Sequence, residues 1–311
     1  MKLQLDFDVP QSSVELKHGD KLLLLGSCFS DSLAPKFENA GFEVCSNPLG
    51  TLFHPHAIEN VVLDALNENF AAEAVVHGDV WLDWRASSKI FGYSEDELRR
   101  NVAHALKELK NAIRTAKVIV ITFGTTLGYI HENAGFVGNC HKQPQREFLL
   151  RKDSVESITS AWQYVVENIR AVNPKVQFVF TVSPVRHKKD GLVENNRSKA
   201  PLILACAELE EYGDYFPSYE IVTDVLRDYR FFKNDLVHPN DDAIDVVWDY
   251  ARQFFFSAET QALTKEVEAL NQMRNHRSLH PNSEATKAFE QNLDRKLTEF
   301  KRNHSEVYWK A

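Results

Sequence analysis

Four cysteines in 311 residues, at positions 28, 45, 140 and 206, are too few and too irregularly spaced for a disulfide framework. None forms a Cys-x-x-Cys pair, which argues against a zinc ribbon. No apolar run exceeds the length of a strand, so no segment is expected to cross a bilayer. Positive charge is also short: 36 Lys and Arg against 44 Asp and Glu give a formal net charge of -8. That balance offers no general attraction to nucleic acid or to an anionic membrane surface. The opening residues MKLQLDFDVPQSS carry acidic side chains where an export signal would be apolar. These absences together lead to the expectation of a cytoplasmic protein. What is present is 43% hydrophobic residues, enough core for one large α/β domain or two small ones.

The chain is organised around Lys21 to Leu33, KLLLLGSCFSDSL. Four consecutive leucines closed by Gly26 read as a strand buried on both faces of a parallel sheet. The small polar corner that follows leads into a helical pattern through Leu33, Ala34, Phe37 and Ala40. Such a corner lifts one side chain above the sheet's carboxyl edge, where the free N–H groups of the helix also point. Cys28 is the candidate nucleophile. With an N-cap at Ser32, Pro35 falls at the third helical position and costs no hydrogen bond. Cys28 then lies just before a positive helix end, a setting that favours thiolate. The alternative is a small, buried core thiol.

Further along, Phe42 to Ser46 is short and β-like and ends in the turn composition Asn47-Pro48-Leu49-Gly50. His54, Pro55 and His56 mark the start of a helix over Ala57 to Leu66. These two histidines resemble metal ligands but have no third partner at ligand spacing, so a helix-start or site-rim role is the reading, and no metal is expected. Residues 71 to 95 are an aromatic, charged excursion, and Ser94 with Glu97 signals the cap of a long amphipathic helix. Lys117 to Phe123 and Val176 to Val182 are further buried strands, each ending in a polar corner, with a long polar loop from Gly124 to Phe148. Helices are expected over Ser154 to Val172, from Ser198, and over Asp241 to Phe255. An edge strand is expected at Tyr215 to Val222, limited by Pro217. Residues 1 to 20 read as an edge strand or strap. The alternation of strand and helix means a parallel sheet covered on both faces, with the site at its carboxyl edge.

Asp235 and His238 supply the second half of that site. In an Asp-x-x-His loop the carboxylate can turn back to the imidazole Nδ1–H, fixing the tautomer and leaving Nε2 free as a base. The motif follows the last expected strand, while Cys28 follows the first.

Taken together these residues resemble the GSCFA-domain family within the SGNH (GDSL-type) hydrolase superfamily. The matching blocks include Gly26-Ser27-Cys28-Phe29, Asn47-Pro48-Leu49-Gly50, Thr122-Phe123-Gly124-Thr125, Asn139-Cys140-His141-Lys142, Ser183-Pro184-Val185-Arg186, Ser198-Lys199-Ala200, and Asp235 with His238-Pro239. They run in order over roughly residues 15 to 255. The resemblance implies a three-layer α/β/α fold with a mainly parallel, flavodoxin-like sheet over residues 1–257, followed by a charged helical extension over 258–311. It implies an acyl-ester or thioester hydrolase, or an acyltransferase, with Cys28 as nucleophile, His238 as base and Asp235 as orienter. Gly50 falls at an oxyanion-donor position. Thr126 stands where the superfamily has an asparagine, so Thr126 or Asn139 is the expected substitute donor, and Arg186 is expected to shape the pocket. Ser27 is the alternative nucleophile if the register shifts by one. No cofactor is implied, and the substrate would be a small or conjugated acyl ester. A non-catalytic ligand-binding module on the same scaffold is the other reading. The C-terminal helices are a candidate contact for a homo-oligomer.

Overall fold

The computed structural model describes residues 5–10, 12–276 and 278–310. In chain order the first half comprises β1 (Lys21–Gly26), α1 (Cys28–Asn39), β2 (Glu43–Ser46), α2 (Pro55–Leu66), β3 (Ala74–His77), β4 (Val80–Asp83), β5 (Phe91–Gly92), α3 (Glu95–Thr115) and β6 (Val118–Phe123). Then come β7 (Leu127–His131), β8 (Gly135–Val137), β9 (Phe148–Lys152), α4 (Val155–Val172), β10 (Gln177–Val182), α5 (Gly191–Glu208) and β11 (Asp214–Tyr215). A single helical turn, α6 (Ser218–Glu220), runs on into π-helical Ile221–Leu226, and α7 (Asp241–Phe255), α8 (Ala258–Asn275) and α9 (Glu284–Asn303) complete the chain.

The central sheet has the order β11-β10-β6-β1-β2, every pair parallel. Counting only its own members, that is the flavodoxin-like order 2-1-3-4-5, whose reversal point lies between β1 and β6. Alternate residues of each strand enter opposite cores. Leu23, Leu25, Ile119, Ile121, Phe178 and Phe180 pack under α2 to α5. Leu22, Leu24, Val118, Val120 and Val179 pack under α1 and α7. Burial on both faces is why these strands read as unbroken apolar runs.

Local signals set most helix starts. The side chains of Ser94, Ser154, Asn240, Ser257 and Ser283 each accept the N–H three residues on, opening α3, α4, α7, α8 and α9. A cap of this kind contributes about 1 kcal/mol.

Five expectations change. Helix α1 starts at Cys28 with Ser27, not Ser32, as its N-cap; packing of Phe29 and Leu33 in the core outweighs the hydrogen bond that Pro35 removes inside the helix. Residues 71 to 95 hold a three-stranded antiparallel sheet, β3-β4-β5. The long polar loop folds as another, β8-β7-β9. Helix α5 begins at Gly191, so Ser198 and Lys199 sit in its middle. The edge strand is only two residues long, because Ile221, Val222, Val225 and Leu226 reach the core from a π-helical segment instead.

The N-terminal residues are a strap, although positions 1–4 and 11 lie outside the described residues. Asp214 fastens it by accepting bonds from Ser12 and Ser13, and Leu16 N–H donates to Phe255 O at 2.9 Å. The C-terminal hairpin also docks on the domain: Asn271 donates to Asn39 O at 2.9 Å, and Tyr308 N–H to Gly41 O at 2.9 Å. Among the described residues no helix is long and apolar enough to cross a membrane.

The reversal point is very close-packed. Gly26 has φ +122°, and a Cβ there would lie 2.1 Å from Thr122 O. Gly26→Ala is therefore expected to cost about 3 kcal/mol in urea unfolding, from backbone strain and displacement of β6. Gly78, at φ +63° with nothing near its missing Cβ, is the control, and Gly78→Ala should cost only about 1 kcal/mol.

Candidate active site

Cys28 is the first residue of α1, half-buried at the carboxyl end of β1. Its N–H belongs to the first helical turn, which has no intrahelical acceptor, and it faces the residue's own sulfur. The corner is built from both sides. Gly26 N–H donates to Asn47 Oδ1 at 2.8 Å, Ser27 N–H to Thr122 O at 3.1 Å, and Ser30 Oγ to Thr122 Oγ1 at 2.8 Å. Ser27 is fully buried, and its hydroxyl accepts the Phe29 N–H as the helix cap.

The thiol itself departs from expectation. Burial pushes the Cys28 thiol up from its ordinary value, and the Asp31 carboxylate adds to the rise. The residue's own N–H and, more weakly, the charges of Lys199 and Lys233 oppose this without overcoming it. Asp31 is fixed where it is by its work as a clamp: it accepts Ser46 Oγ and Asn47 Nδ2, each at 2.9 Å, and Thr51 Oγ1 at 3.2 Å. A charge that holds the neighbouring loop in place thus also disfavours thiolate.

The Asp235 to His238 loop has the arrangement that its spacing implies. His238 Nδ1 lies 2.7 Å from Asp235 Oδ2, while Oδ1 accepts the N–H groups of Val237 and His238 at 2.9 and 3.0 Å. The His238 N–H, its ring and the Val237 N–H hold the Asp235 carboxyl far below the usual carboxylate range. With Nδ1 occupied by the carboxylate, Nε2 is the nitrogen left for proton transfer. Leu236 takes φ +59° to close the turn, which Lys233 and His238 tie at its base through an N–H···O bond of 2.8 Å. Arg186 braces this loop from outside. Its guanidinium donates to Leu236 O at 3.3 Å and stacks 4.4 Å from the Phe232 ring.

Two expected oxyanion positions are already engaged. Gly50 N–H closes a turn onto Asn47 O at 2.7 Å; its φ of +76° and a Ser87 hydroxyl that would be 1.8 Å from a Cβ make glycine obligatory there. Thr126 is fully buried, and both its N–H and its hydroxyl meet Ser198 Oγ, at 2.7 and 3.1 Å. Asn139 Oδ1 accepts His141 N–H at 2.8 Å in an Asx turn, which leaves its NH2 without an acceptor among the described residues.

Beneath these corners lies Lys199, which sequence reasoning noticed only as part of a matching block. It is fully buried, and its ammonium donates to Gly124 O at 2.6 Å and to Ser183 O at 2.7 Å. Burial pushes its pKa down to about 7, against the pull of Cys28. His187 is pushed down to about 4 by burial and by the charges of Lys199 and His238. Cys28, Lys199, His187 and His238 thus form one chain of electrostatic neighbours. Only the register of β6, β10 and α5 brings them together, and no local spacing could have announced it.

His54 and His56 occupy the site's flank. His54 caps α2 through Nδ1, which accepts His56 N–H at 3.1 Å, and its Nε2 lies 3.1 Å from both Thr126 O and Asp153 Oδ2. The alignment favours the carbonyl and leaves Asp153 Oδ2 without a hydrogen bond. His56 lies 3.4 Å from the same oxygen. Among the described residues no group of three or more His, Cys, Asp or Glu is arranged to hold a metal ion.

No curated protein sequence matches this chain significantly. Among solved structures, the crystal structure of a carbohydrate esterase family 3 from Talaromyces cellulolyticus is similar at a TM-score of 0.35 and 8% identity, covering 79% of this chain and 99% of that one. The GSCFA family model matches residues 21–250, the whole span from the start of β1 almost to the end of α7. The chain belongs to the GSCFA family.

Proposed function

We propose that this protein transfers acyl groups from esters or thioesters to water through a Cys28 thioester, with His238 as the base and Asp235 as its orienter. The observation that carries the reading is the Asp235–His238 pair. The 2.7 Å bond to Nδ1 and the two N–H groups on the other carboxylate oxygen leave Nε2 as the one ring nitrogen free to work.

In the first half-reaction the Cys28 thiol gives its proton to His238 Nε2 as sulfur bonds to the acyl carbonyl carbon. The oxyanion that forms takes the Cys28 N–H, with the Asn139 NH2 as the second donor. Collapse breaks the bond to the alcohol or thiol leaving group, which departs with the proton from His238. Water then attacks the thioester, gives a proton to His238, and releases the acid as that proton returns to sulfur. An alcohol in place of water would make the same steps an acyl transfer.

A second reading has specific support. A thiol raised by burial, a Gly50 N–H spent on Asn47 and a Thr126 spent on Ser198 fit a scaffold that binds an ester or acid without turning it over. Intact-mass spectrometry after brief exposure to p-nitrophenyl acetate separates the two. On the first reading an acetyl adduct forms in wild type and decays with turnover, and is absent in Cys28→Ala; His238→Ala lowers its rate by roughly a hundredfold. An adduct kept by Cys28→Ala but lost in Ser27→Ala would move the nucleophile. No adduct on any variant, with reductant present, would leave the binding reading.

The thiol also sets a pH dependence. Because its folded pKa is raised, the reactive anion is scarce at neutral pH and grows only as pH climbs. Alkylation of Cys28 by iodoacetamide should therefore keep rising beyond pH 9.0, the ordinary thiol value, rather than level off in the acid range as a pre-formed ion pair would. A plateau below neutrality would contradict this.

Arg186 acts on this chemistry through the loop it braces. Arg186→Met is expected to lower kcat about tenfold with little change in KM, because the His238 turn that Arg186 braces loosens. Steady-state kinetics on an acetyl ester measures both terms, and a rise in KM at constant kcat would instead make Arg186 a substrate contact.

A further inference from the structure

We infer that α9 is the contact between two copies of this chain: its half-exposed apolar stripe packs antiparallel on the same stripe of a second copy, with the acidic first half of each helix against the basic second half of the other.

The C-terminal hairpin is fastened to the α/β domain through α8 and the final residues. Thr260 of α8 donates to Leu16 O at 3.2 Å and Asn271 to Asn39 O at 2.9 Å, while Lys310 Nζ lies 2.7 Å from Glu38 Oε2. Between these attachments α9 runs for 20 residues with only Thr286 buried. Its side chains bond within the helix or to the loop before it: Thr286 to Ser278 and His280 O, Lys287 to Glu284, and Arg295 to Asn292. Among the described residues no hydrogen bond or ion pair joins a side chain of α9 to the α/β domain.

Phe289, Leu293, Leu297 and Phe300, at i, i+4, i+8 and i+11, make one apolar stripe along the helix. All four remain partly exposed. The hairpin does not close over them. Cavities of about 290 and 420 Å³ stay open between the two helices, the first against Phe289 and Leu293, the second against Phe300, with Met273 of α8 lining both. Ring contacts cover the ends of the stripe, His276 on Phe289 at 5.7 Å and Trp309 on Phe300 at 5.9 Å, and Leu293 and Leu297 lie between them. Most of a helix's stability in a protein comes from packing of its apolar face, and here the chain supplies only part of that packing.

The charges of α9 select the occupant. Glu290, Asp294 and Lys301, at i, i+4 and i+11, share one side of the stripe and are all exposed. None of the three has an ion-pair partner among the described residues, whereas Lys287 on the same side is already paired with Glu284. Glu290 and Asp294 are like charges one turn apart, which an isolated helix disfavours. A two-fold axis across the middle of α9 sets the same side of both helices together in opposite directions, so each acidic pair meets the partner's Lys301. An anionic surface would meet repulsion from the first half of the helix, and a cationic one from the second.

Sedimentation equilibrium of the full chain tests this. Wild type should sediment at twice its 35.6 kDa chain mass. Glu290→Lys with Asp294→Lys makes that side uniformly positive, and Lys301→Glu makes it uniformly negative. Each should weaken the dimer roughly tenfold, and an equimolar mixture of the two should restore it as a heterodimer. Leu297→Asp should give monomer, while Arg295→Glu, on the far side of the helix, should leave the dimer intact. A wild-type chain that stays monomeric at ~0.1 mM, a mixture no tighter than its components, or equal weakening by Arg295→Glu would overturn the inference. The charge variants alter only exposed side chains, so they decide the matter even if Leu297→Asp melts α9. None of these changes touches Cys28 or the Asp235–His238 pair, so the result is independent of the acyl-transfer reading, which the acetyl adduct decides.

Discussion

Everything at the carboxyl edge depends on how closely β1 approaches β6 at Gly26. The backbone there has room for a hydrogen and nothing more, with Thr122 O 2.1 Å from where a Cβ would be. That approach lets Ser27 N–H reach Thr122 O, which turns the chain into α1 at once and makes Cys28 the first helical residue. It also brings Gly26 N–H to Asn47 Oδ1, so that the turn after β2 is keyed to the same point. Asp31, one turn into α1, then clamps that turn through Ser46, Asn47 and Thr51. One glycine thereby sets the relative position of Cys28, a helix end and the loop beside them.

The α/β class was legible because its signals are local. Strands buried on both faces leave unbroken apolar runs, as in Leu22 to Leu25, and capped helices leave a Ser or Asn followed by a periodic face, as at Ser94, Ser154 and Asn240. The two small antiparallel sheets were not legible. Their strands are short and few of their residues are fully buried, so they lack both alternation and a hydrophobic run; β9, for example, carries Leu149 and Leu150 to the surface. The start of α5 at Gly191 was hidden for a related reason, since its first two turns bury little and only the later ones show an apolar face. At Pro35 packing overrides a local rule. A lost hydrogen bond costs a few kcal/mol, and burial of Phe29, Leu33 and Phe37 on one face of the helix offsets it.

At the site, the Asp235–His238 geometry was legible because both partners belong to one turn, whose Asx bonds follow from the aspartate alone. The state of the thiol was not legible, because two effects of opposite sign compete and only one of them is visible in a sequence. A helix N-terminus offers roughly 0.3–1 kcal/mol to a charge near it. Taking a thiolate out of water can raise its pKa by several units, and a carboxylate three residues along adds to that. Burial therefore wins, and the helix end alone does not produce a reactive anion.

This outcome changes what the surroundings of Cys28 must do. A thiol with a depressed pKa needs only to be exposed to an electrophile, whereas a raised one needs its proton removed as sulfur attacks or its anion met by a fixed positive charge. The structure supplies a group suited to the first. His238, held by Asp235 at the rim, has the free nitrogen to take a proton, and Lys199, held by two carbonyls, has no carboxylate partner among the described residues. They also differ in exposure. His238 lies half-exposed on a turn with a strained residue, Leu236, in it, while Lys199 is sealed in the middle of a long helix. An imidazole fixed by its carboxylate and a thiol that burial keeps protonated would together leave the sulfur unreactive toward solvent oxidants until a proton is taken from it.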